Sequence, residues 1–387
     1  MDIHRRIAAE LSDLESRAEL RGLEPPRGID LSGNDYLGLA ANARMKELVL
    51  AGIHSTSRMA STGSRLLSGQ DEVWTVLEHA FAQWVGAEAA LYFTSGYAAN
   101  VGLLSAILRP EDVVFSDSAN HASLIDGMRL AKCRRVIFPH GDLNILEDEL
   151  RRNTAAHGVR VIVTESIFSM EGDLAPLADL AALAERHGAE LIVDEAHAIG
   201  VRGPLGSGLV AEAGLSSRVL AIVQTCGKAL AASGAFVCGS EQLRRFLINR
   251  ARTFIFSTAL PPYFSAQISA GMGLAKEAER ERALLAELST FLRNALRSNG
   301  FDAAAEGSQI VPVILGSNDA ALHFAESLRA RGFGVRAIRP PTVPEGSSRI
   351  RLSLTAKHSK ETLSELVAAM VEARDRFSFS QTVSACR

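Results

Sequence analysis

Between Glu88 and Gly239 short apolar runs alternate with longer stretches of helical periodicity, and this alternation restricts the possible folds more than any other feature. The runs read AALYF, DVVFSD, VRVIVTE, AELIVDE, VLAIVQT and GAFVCG. Such spacing is the pattern of βαβ units and predicts a mostly parallel sheet. One crossover helix is legible residue by residue. Leu177, Leu180, Ala181 and Ala184 recur at helical spacing after Pro176, and Gly188 follows as a C-cap.

The rest of the chain differs in pattern. Residues 1–40 carry apolar residues at helical spacing (Ile3, Ile7, Leu11, Leu14), then the turn-rich Glu24-Pro25-Pro26-Arg27-Gly28. They predict a short N-terminal helix that packs on another surface, followed by an extension. A large domain is expected over 41–270 and a smaller α+β domain over 271–387, because a chain of 387 residues exceeds what one core accommodates. The smaller domain opens on a long charged helical stretch and has another helix near residues 318–331. SFSQTVSACR, at the end, reads as a frayed polar tail.

Composition excludes several classes of function. Only 22% of residues are charged, the net charge is -3, and no block of Lys and Arg tracks phosphates, so no nucleic-acid partner is expected. No apolar run is long enough to span a bilayer and the first twenty residues lack the core of a signal peptide, which predicts a cytoplasmic protein with no membrane partner. Cys133, Cys226, Cys238 and Cys386 form no Cys-x-x-Cys pair. Reduced thiols are expected, and no metal site.

Three of the runs end in polar residues: VIVTE continues to Ser166–Ser169, LIVD ends at Asp194 with His197 behind it, and AIVQT ends at Thr225 with Lys228 behind it. Ligands in open α/β sheets bind beyond the carboxyl ends of the strands, so these groups are expected in one crevice. A lysine beside a buried strand end loses charge by desolvation and becomes a nucleophile able to form a Schiff base. Taken alone, Lys228 would more naturally be a solvated surface lysine. Asp194 reverses that ordering, because an unpaired carboxylate at an apolar strand end needs a cationic partner, and a protonated pyridine nitrogen is one. A helix cap or a metal ligand is the other reading of Asp194.

Three further features are weaker alone. His197 suits a hydrogen bond to a cofactor phenolate oxygen, or is a structural histidine. In SGYAAN, Ser95 to Asn100, the N–H groups of Gly96 and Tyr97 at a strand-to-helix turn suit a phosphate, or Ser95 merely caps a helix. His121, in HASL, suits stacking on a pyridine face, or is a buried histidine with one hydrogen bond.

Taken together, SGYAAN, HASL, FSMEGDLAPL, VDEAHAIG, TCGK and FSTALPP resemble the α-oxoamine synthase family of fold-type-I pyridoxal-phosphate enzymes, in order and spacing, from about Gly33 to His358. The resemblance implies an α/β fold like that of aspartate aminotransferase, with a mostly parallel seven-stranded sheet in the large domain. It implies that Lys228 carries pyridoxal 5'-phosphate as a Schiff base, that Asp194 pairs with the ring nitrogen, that His121 stacks on the ring and that His197 contacts the phenolate oxygen. Ser169 is implied near the ring. Thr225, Gly96 and Tyr97 are implied at the phosphate, and Ser257 and Thr258 at the phosphate of a neighbouring subunit, hence a homodimer.

The segment Ile338–His358, with IRPPTVP and RIRLSL, resembles the branch of the family that joins L-alanine to a pimeloyl thioester on coenzyme A or on an acyl-carrier protein. Asn34, in GNDYLGLA, is implied near the substrate carboxylate. Arg351 is the implied carboxylate ligand and Arg339 a neighbouring candidate. Lys228 is then displaced by L-alanine and acts as general base at its Cα. This chain departs from the family pattern with Glu195 and Ala198 in VDEAHAIG, where Asp and Gly are common. The alternatives are a sister activity on glycine and a short acyl-CoA, and a pyridoxal-phosphate sensor without catalysis.

Overall fold

The apolar runs form strands because they are apolar on both faces, which a sheet covered by helices on each side can bury. The computed structural model describes residues 2–154 and 157–377. Seven strands make the main sheet: β1 (Ala89–Phe93), β2 (Val113–Asp117), β3 (Arg134–Phe138), β4 (Arg160–Glu165), β5 (Glu190–Asp194), β6 (Ala221–Thr225) and β7 (Ala235–Gly239). Their spatial order is β1-β7-β6-β5-β4-β2-β3. The neighbours from β6 to β3 pair in parallel, whereas β7 is antiparallel to both β1 and β6. Strand β1 therefore points the same way as β6. The carboxyl ends of β1, β2, β4, β5 and β6 all open on one edge of the sheet.

Strand β3 is the one that the apolar runs do not announce. Its Arg134 and Arg135 are exposed, which an edge strand tolerates and which also discourages pairing with another chain. On one face of the sheet Leu91, Val114, Val163, Ile192, Val223 and Val237 pack against Leu103 and Leu104 of the Gly96–Ile107 helix. Aromatic rings also pack tightly: Phe81 stacks on Phe236 with centroids 3.9 Å apart, and Trp74 on Tyr92 at 4.7 Å. The crossover helix is Leu177–His187, and Gly188 ends it at φ 58° with its N–H on the carbonyls of Ala184 and Glu185.

The chain divides into two compact units: Asp35–Ser169 with Leu174–Ala283, and Met1–Asn34 with Met170–Asp173 and Leu284–Arg387. This differs from the expected boundaries at 40 and 270. The first 34 residues belong to the smaller unit because its backbone completes theirs. Ile29 N–H donates to the Gly332 carbonyl at 2.8 Å, Leu31 N–H to Gly334 at 3.0 Å, and Ser353 N–H to Leu31 at 2.8 Å. Met170–Asp173 joins the same unit, with the Ser308 N–H on the Gly172 carbonyl at 2.8 Å. The smaller unit has a three-stranded antiparallel sheet of Ala337–Ile338, Ser348–Ser353 and Ile310–Gly316.

The charged stretch after residue 265 is two helices, Phe264–Glu277 and Glu279–Ser298, which meet at Ala278. The N-terminal helix forms as expected over Ile3–Ser16, but this chain does not cover its apolar side: Ile3, Ile7 and Leu11 are each about half exposed. Among the described residues no helix is long and apolar enough to cross a membrane. The tail SFSQTVSACR, with Cys386, lies outside the described residues.

Phe236 is fully buried between Phe81 and Tyr92. Phe236→Ala is expected to destabilise the larger unit by about 3–5 kcal/mol, the cost of losing such a ring and leaving a cavity. Denaturant unfolding measures it, and a loss below about 1 kcal/mol would contradict this packing.

Candidate active site

Five loops meet at the edge on which the strands open. Ser95 and Gly96 follow β1, His121 follows β2, Glu165 ends β4 with Ser169 behind it, Asp194 ends β5 with His197 behind it, and Thr225 ends β6 with Lys228 behind it. Pairing fixes their relation, since Glu165 lies opposite Asp194 in register.

Asp194 is buried, and both of its oxygens are engaged. Oδ1 accepts the Ala196 N–H at 2.9 Å and Oδ2 accepts the Asn100 amide at 2.6 Å. The Asn100 amide also donates to Ser123 Oγ at 2.9 Å, and Ser123 Oγ lies 2.8 Å from His121 Nδ1. Because the Ser123 N–H also donates to that nitrogen, at 3.3 Å, Nδ1 is the acceptor and the ring hydrogen of His121 sits on Nε2. Burial lowers the pKa of His121, with the Lys228 charge adding to the effect and Asp194 opposing it. A neutral imidazole results, suited to lying against an aromatic ring.

The amine of Lys228 is 2.8 Å from His197 Nε2, and His197 Nδ1 is 2.5 Å from the Tyr36 hydroxyl. Thr225 Oγ1 donates to the Ala196 carbonyl at 3.3 Å. Gly96 opens its helix against Thr225, so closely that a Cβ at Gly96 would lie 2.6 Å from Thr225 Cγ2. Ser95 caps this helix through the Ala98 N–H at 3.1 Å, while the N–H groups of Gly96 and Tyr97 precede any carbonyl of their own helix. The Tyr97 side chain points away to the surface, where its hydroxyl donates to Asp126.

Other expected residues lie elsewhere. Ser257 and Thr258 line a cavity of about 20 Å³ with Arg65, Trp74 and Thr94, and none of Lys228, Asp194, His121 and His197 lines it. In the smaller unit Arg351 Nη2 donates to Asn34 Oδ1 at 3.1 Å, which brings the two implied carboxylate ligands together. Arg339 is engaged differently: its guanidinium donates to the Ala18 and Leu20 carbonyls and so holds the N-terminal segment.

Four residues of the site were assigned no role by the sequence reading: Tyr36, Asn100, Ser123 and Glu165. Asn100 carries a signal, being the polar residue ahead of an apolar helical run. Glu165 carries the same signal as Asp194, a carboxylate closing an apolar strand. Its Oε2 accepts the Ser169 N–H at 3.2 Å, and burial, reinforced by the Asp194 charge, pushes its pKa well up. Glu165 is thus pushed toward its protonated form beside Asp194.

The donor set fits pyridoxal 5'-phosphate. A buried carboxylate, an amine, a neutral imidazole and a helix N-terminus beside a hydroxyl match a ring nitrogen, an aldehyde, a ring face and a phosphate. Asn100 Oδ1 and Glu165 Oε1 are buried without a partner among protein atoms, capacity that a polar ligand uses.

The aminotransferase class I and II family matches residues 26–370. The chain is 43% identical to an 8-amino-7-oxononanoate synthase of Anaeromyxobacter dehalogenans, over 94% of each chain. Among solved structures it resembles the serine palmitoyltransferase of Sphingomonas wittichii, with a TM-score of 0.88 and 28% identity over 98% of this chain and 99% of that one. It also resembles the 8-amino-7-oxononanoate synthase of Francisella tularensis, with a TM-score of 0.79 and 27% identity over 91% and 99%.

Glu195, the residue after Asp194, is fully buried and accepts the Val210 N–H at 3.0 Å and the Gln224 amide at 2.9 Å. Burial raises its pKa from 4.5 to about 7 against those hydrogen bonds. The folded state thus keeps a proton that the unfolded chain releases, and stability falls as pH rises from about 4.5 to about 7, by up to about 3 kcal/mol. Glu195→Gln is expected to remove that fall, so its stability relative to the parent protein improves between pH 5 and pH 8. Parallel pH profiles in denaturant unfolding would contradict it.

Proposed function

The chain belongs to the aminotransferase class I and II family and, within it, to the 8-amino-7-oxononanoate synthases, and from that premise we propose how its residues join L-alanine to a pimeloyl thioester. It is a pyridoxal-phosphate-dependent acyltransferase of biotin biosynthesis. A carbon–carbon bond forms between the alanine Cα and the thioester carbonyl, the thiol leaves, the alanine carboxylate departs as CO2, and 8-amino-7-oxononanoate is the product. The carrier of the acyl group is coenzyme A or an acyl-carrier protein.

Pyridoxal 5'-phosphate, when bound, supplies an aldehyde that links to amines and a ring that accepts the electron pair left at Cα. Lys228 would hold it through its amine, and that amine, when free, would remove the Cα proton of alanine and later return one. Asp194 would hold a proton on the ring nitrogen. His121 would lie against the ring face, and His197 would donate to the ring oxygen. Thr225 with the N–H groups of Gly96 and Tyr97 would hold the phosphate, and Ser169 would border the ring. Arg351 and Asn34 hold a substrate carboxylate, the planar guanidinium giving it two parallel donors. In a homodimer Ser257 and Thr258 would reach the phosphate bound by the partner.

The observation that carries these assignments is the Lys228 amine 2.8 Å from His197, together with a buried Asp194 that accepts one hydrogen bond on each oxygen. The substrate choice draws on the sequence relatives, whose identity of 42–44% exceeds the 28% of the serine palmitoyltransferase likeness.

Thiol release by the pyridoxal-phosphate-loaded protein is expected to be faster with L-alanine and pimeloyl-CoA than with glycine and acetyl-CoA. The reverse order would overturn the substrate assignment and leave the family intact. Lys228→Ala is expected to lose roughly 10²- to 10⁴-fold or more in turnover, the range for removing a positioned acid–base group. Retained turnover would overturn the role of Lys228.

A further inference from the structure

Tyr36, in the GNDYLGLA segment, is fully buried, yet no step above uses it. Its hydroxyl is 2.5 Å from His197 Nδ1, and His197 Nε2 is 2.8 Å from the Lys228 amine, so phenol, imidazole and amine form one line of hydrogen bonds inside the larger unit. Such a line has two polarities. In one, Lys228 is an ammonium, Nε2 accepts from it, and the ring hydrogen on Nδ1 is given to the tyrosine oxygen. In the other, the phenol donates to Nδ1, the ring hydrogen sits on Nε2, and Lys228 accepts it through a lone pair, as only an unprotonated amine does.

We propose that Tyr36 is a positioning residue that acts through His197, its O–H fixing the ring hydrogen on Nε2 and so favouring the unprotonated amine of Lys228. The proposal rests on Lys228 being the reacting amine, and it names the group that readies it. A free amine is what both bonding to an aldehyde and removal of a Cα proton require. The two hydrogen bonds polarise each other in the same sense, which strengthens the line beyond its separate members.

The charged groups near Lys228 divide as follows. Asp194, at the end of β5, favours the ammonium. Glu165, at the end of β4, is pushed toward its uncharged form by burial and by Asp194, which weakens the pull of a second carboxylate. His121 is neutral through burial. The main opposing charge is therefore one carboxylate whose oxygens are already occupied by Ala196 and Asn100, and the Tyr36–His197 line acts directly on the amine.

The test is made on the full-length protein freed of cofactor. Brief labelling with acetic anhydride across a pH series, read at Lys228 by peptide mass spectrometry, gives the pH at which this amine becomes reactive. Tyr36→Phe, which removes only the hydroxyl, is expected to move that pH up by roughly half to one unit, the size of one hydrogen bond. An unchanged or lower value in a folded variant would overturn the inference. Nitrogen-15 shifts of the His197 ring in the parent protein give a second reading that needs no variant. A hydrogen on Nε2 near neutral pH supports the inference, and a hydrogen on Nδ1 overturns it. The underlying assignment fails differently, because Lys228 would then remain open to labelling after pyridoxal phosphate is loaded.

Discussion

A carboxylate taken out of water at the end of a parallel strand has to be compensated, and the architecture of the larger unit follows from how Asp194 is. Its charge is held by the Ala196 N–H and the Asn100 amide rather than by a cation of the protein. Each is a donor whose position depends on something larger. Ala196 sits on the turn that follows β5, and Asn100 sits in the helix that follows β1, three strands away in the sheet order. Holding one carboxylate therefore ties the Gly96–Ile107 helix, with its open N-terminus, to the strand next to Lys228. Hydrogen bonds of this kind to a buried anion satisfy it without neutralising it, which leaves it available to a cationic ring.

The remaining ionisable groups of the site are arranged around that single charge. Glu165, in register with Asp194, is driven to its uncharged form by burial and by Asp194 itself. His121 is neutral and turned by Ser123, whose hydroxyl is shared with Asn100. Neighbouring titratable groups whose environments drive them to different charge states are the arrangement from which acid and base roles arise. Here burial pushes Glu165 toward its protonated form and His121 toward its neutral form near the amine of Lys228.

Much of this was legible in the sequence because strand ends carry their meaning in local context. LIVD, VIVT and AIVQT announce buried strands, and the polar residues behind them fall at one edge once the strands are parallel. Lys228, Asp194 and His197 drew attention on that ground, and His121 only through the weaker signal of HASL, whereas Tyr36 drew none. It precedes the sheet by some fifty residues of chain, and its contact with His197 depends on the tertiary path of the segment between. Edge strand β3 was hidden for a different reason: RRVIF opens on two exposed arginines, and of its five residues only Phe138 is buried. The two compact units differ from the limits expected at 40 and 270 where backbone pairing ignores sequence distance, as when Ile29–Asp30 pairs with Phe333–Gly334. Glu165 was missed although its pattern equals that of Asp194, because no partner in the sequence called for a second carboxylate.

Borohydride reduction of the pyridoxal-phosphate-loaded protein, followed by digestion and peptide mass spectrometry, shows which lysine carries the cofactor. Reduction makes the link between cofactor and amine permanent. The reduced cofactor is expected on Lys228, and is expected to be absent there when Asp194 is replaced by Ala. A reduced cofactor attached to a different lysine, with Lys228 unmodified, would contradict it.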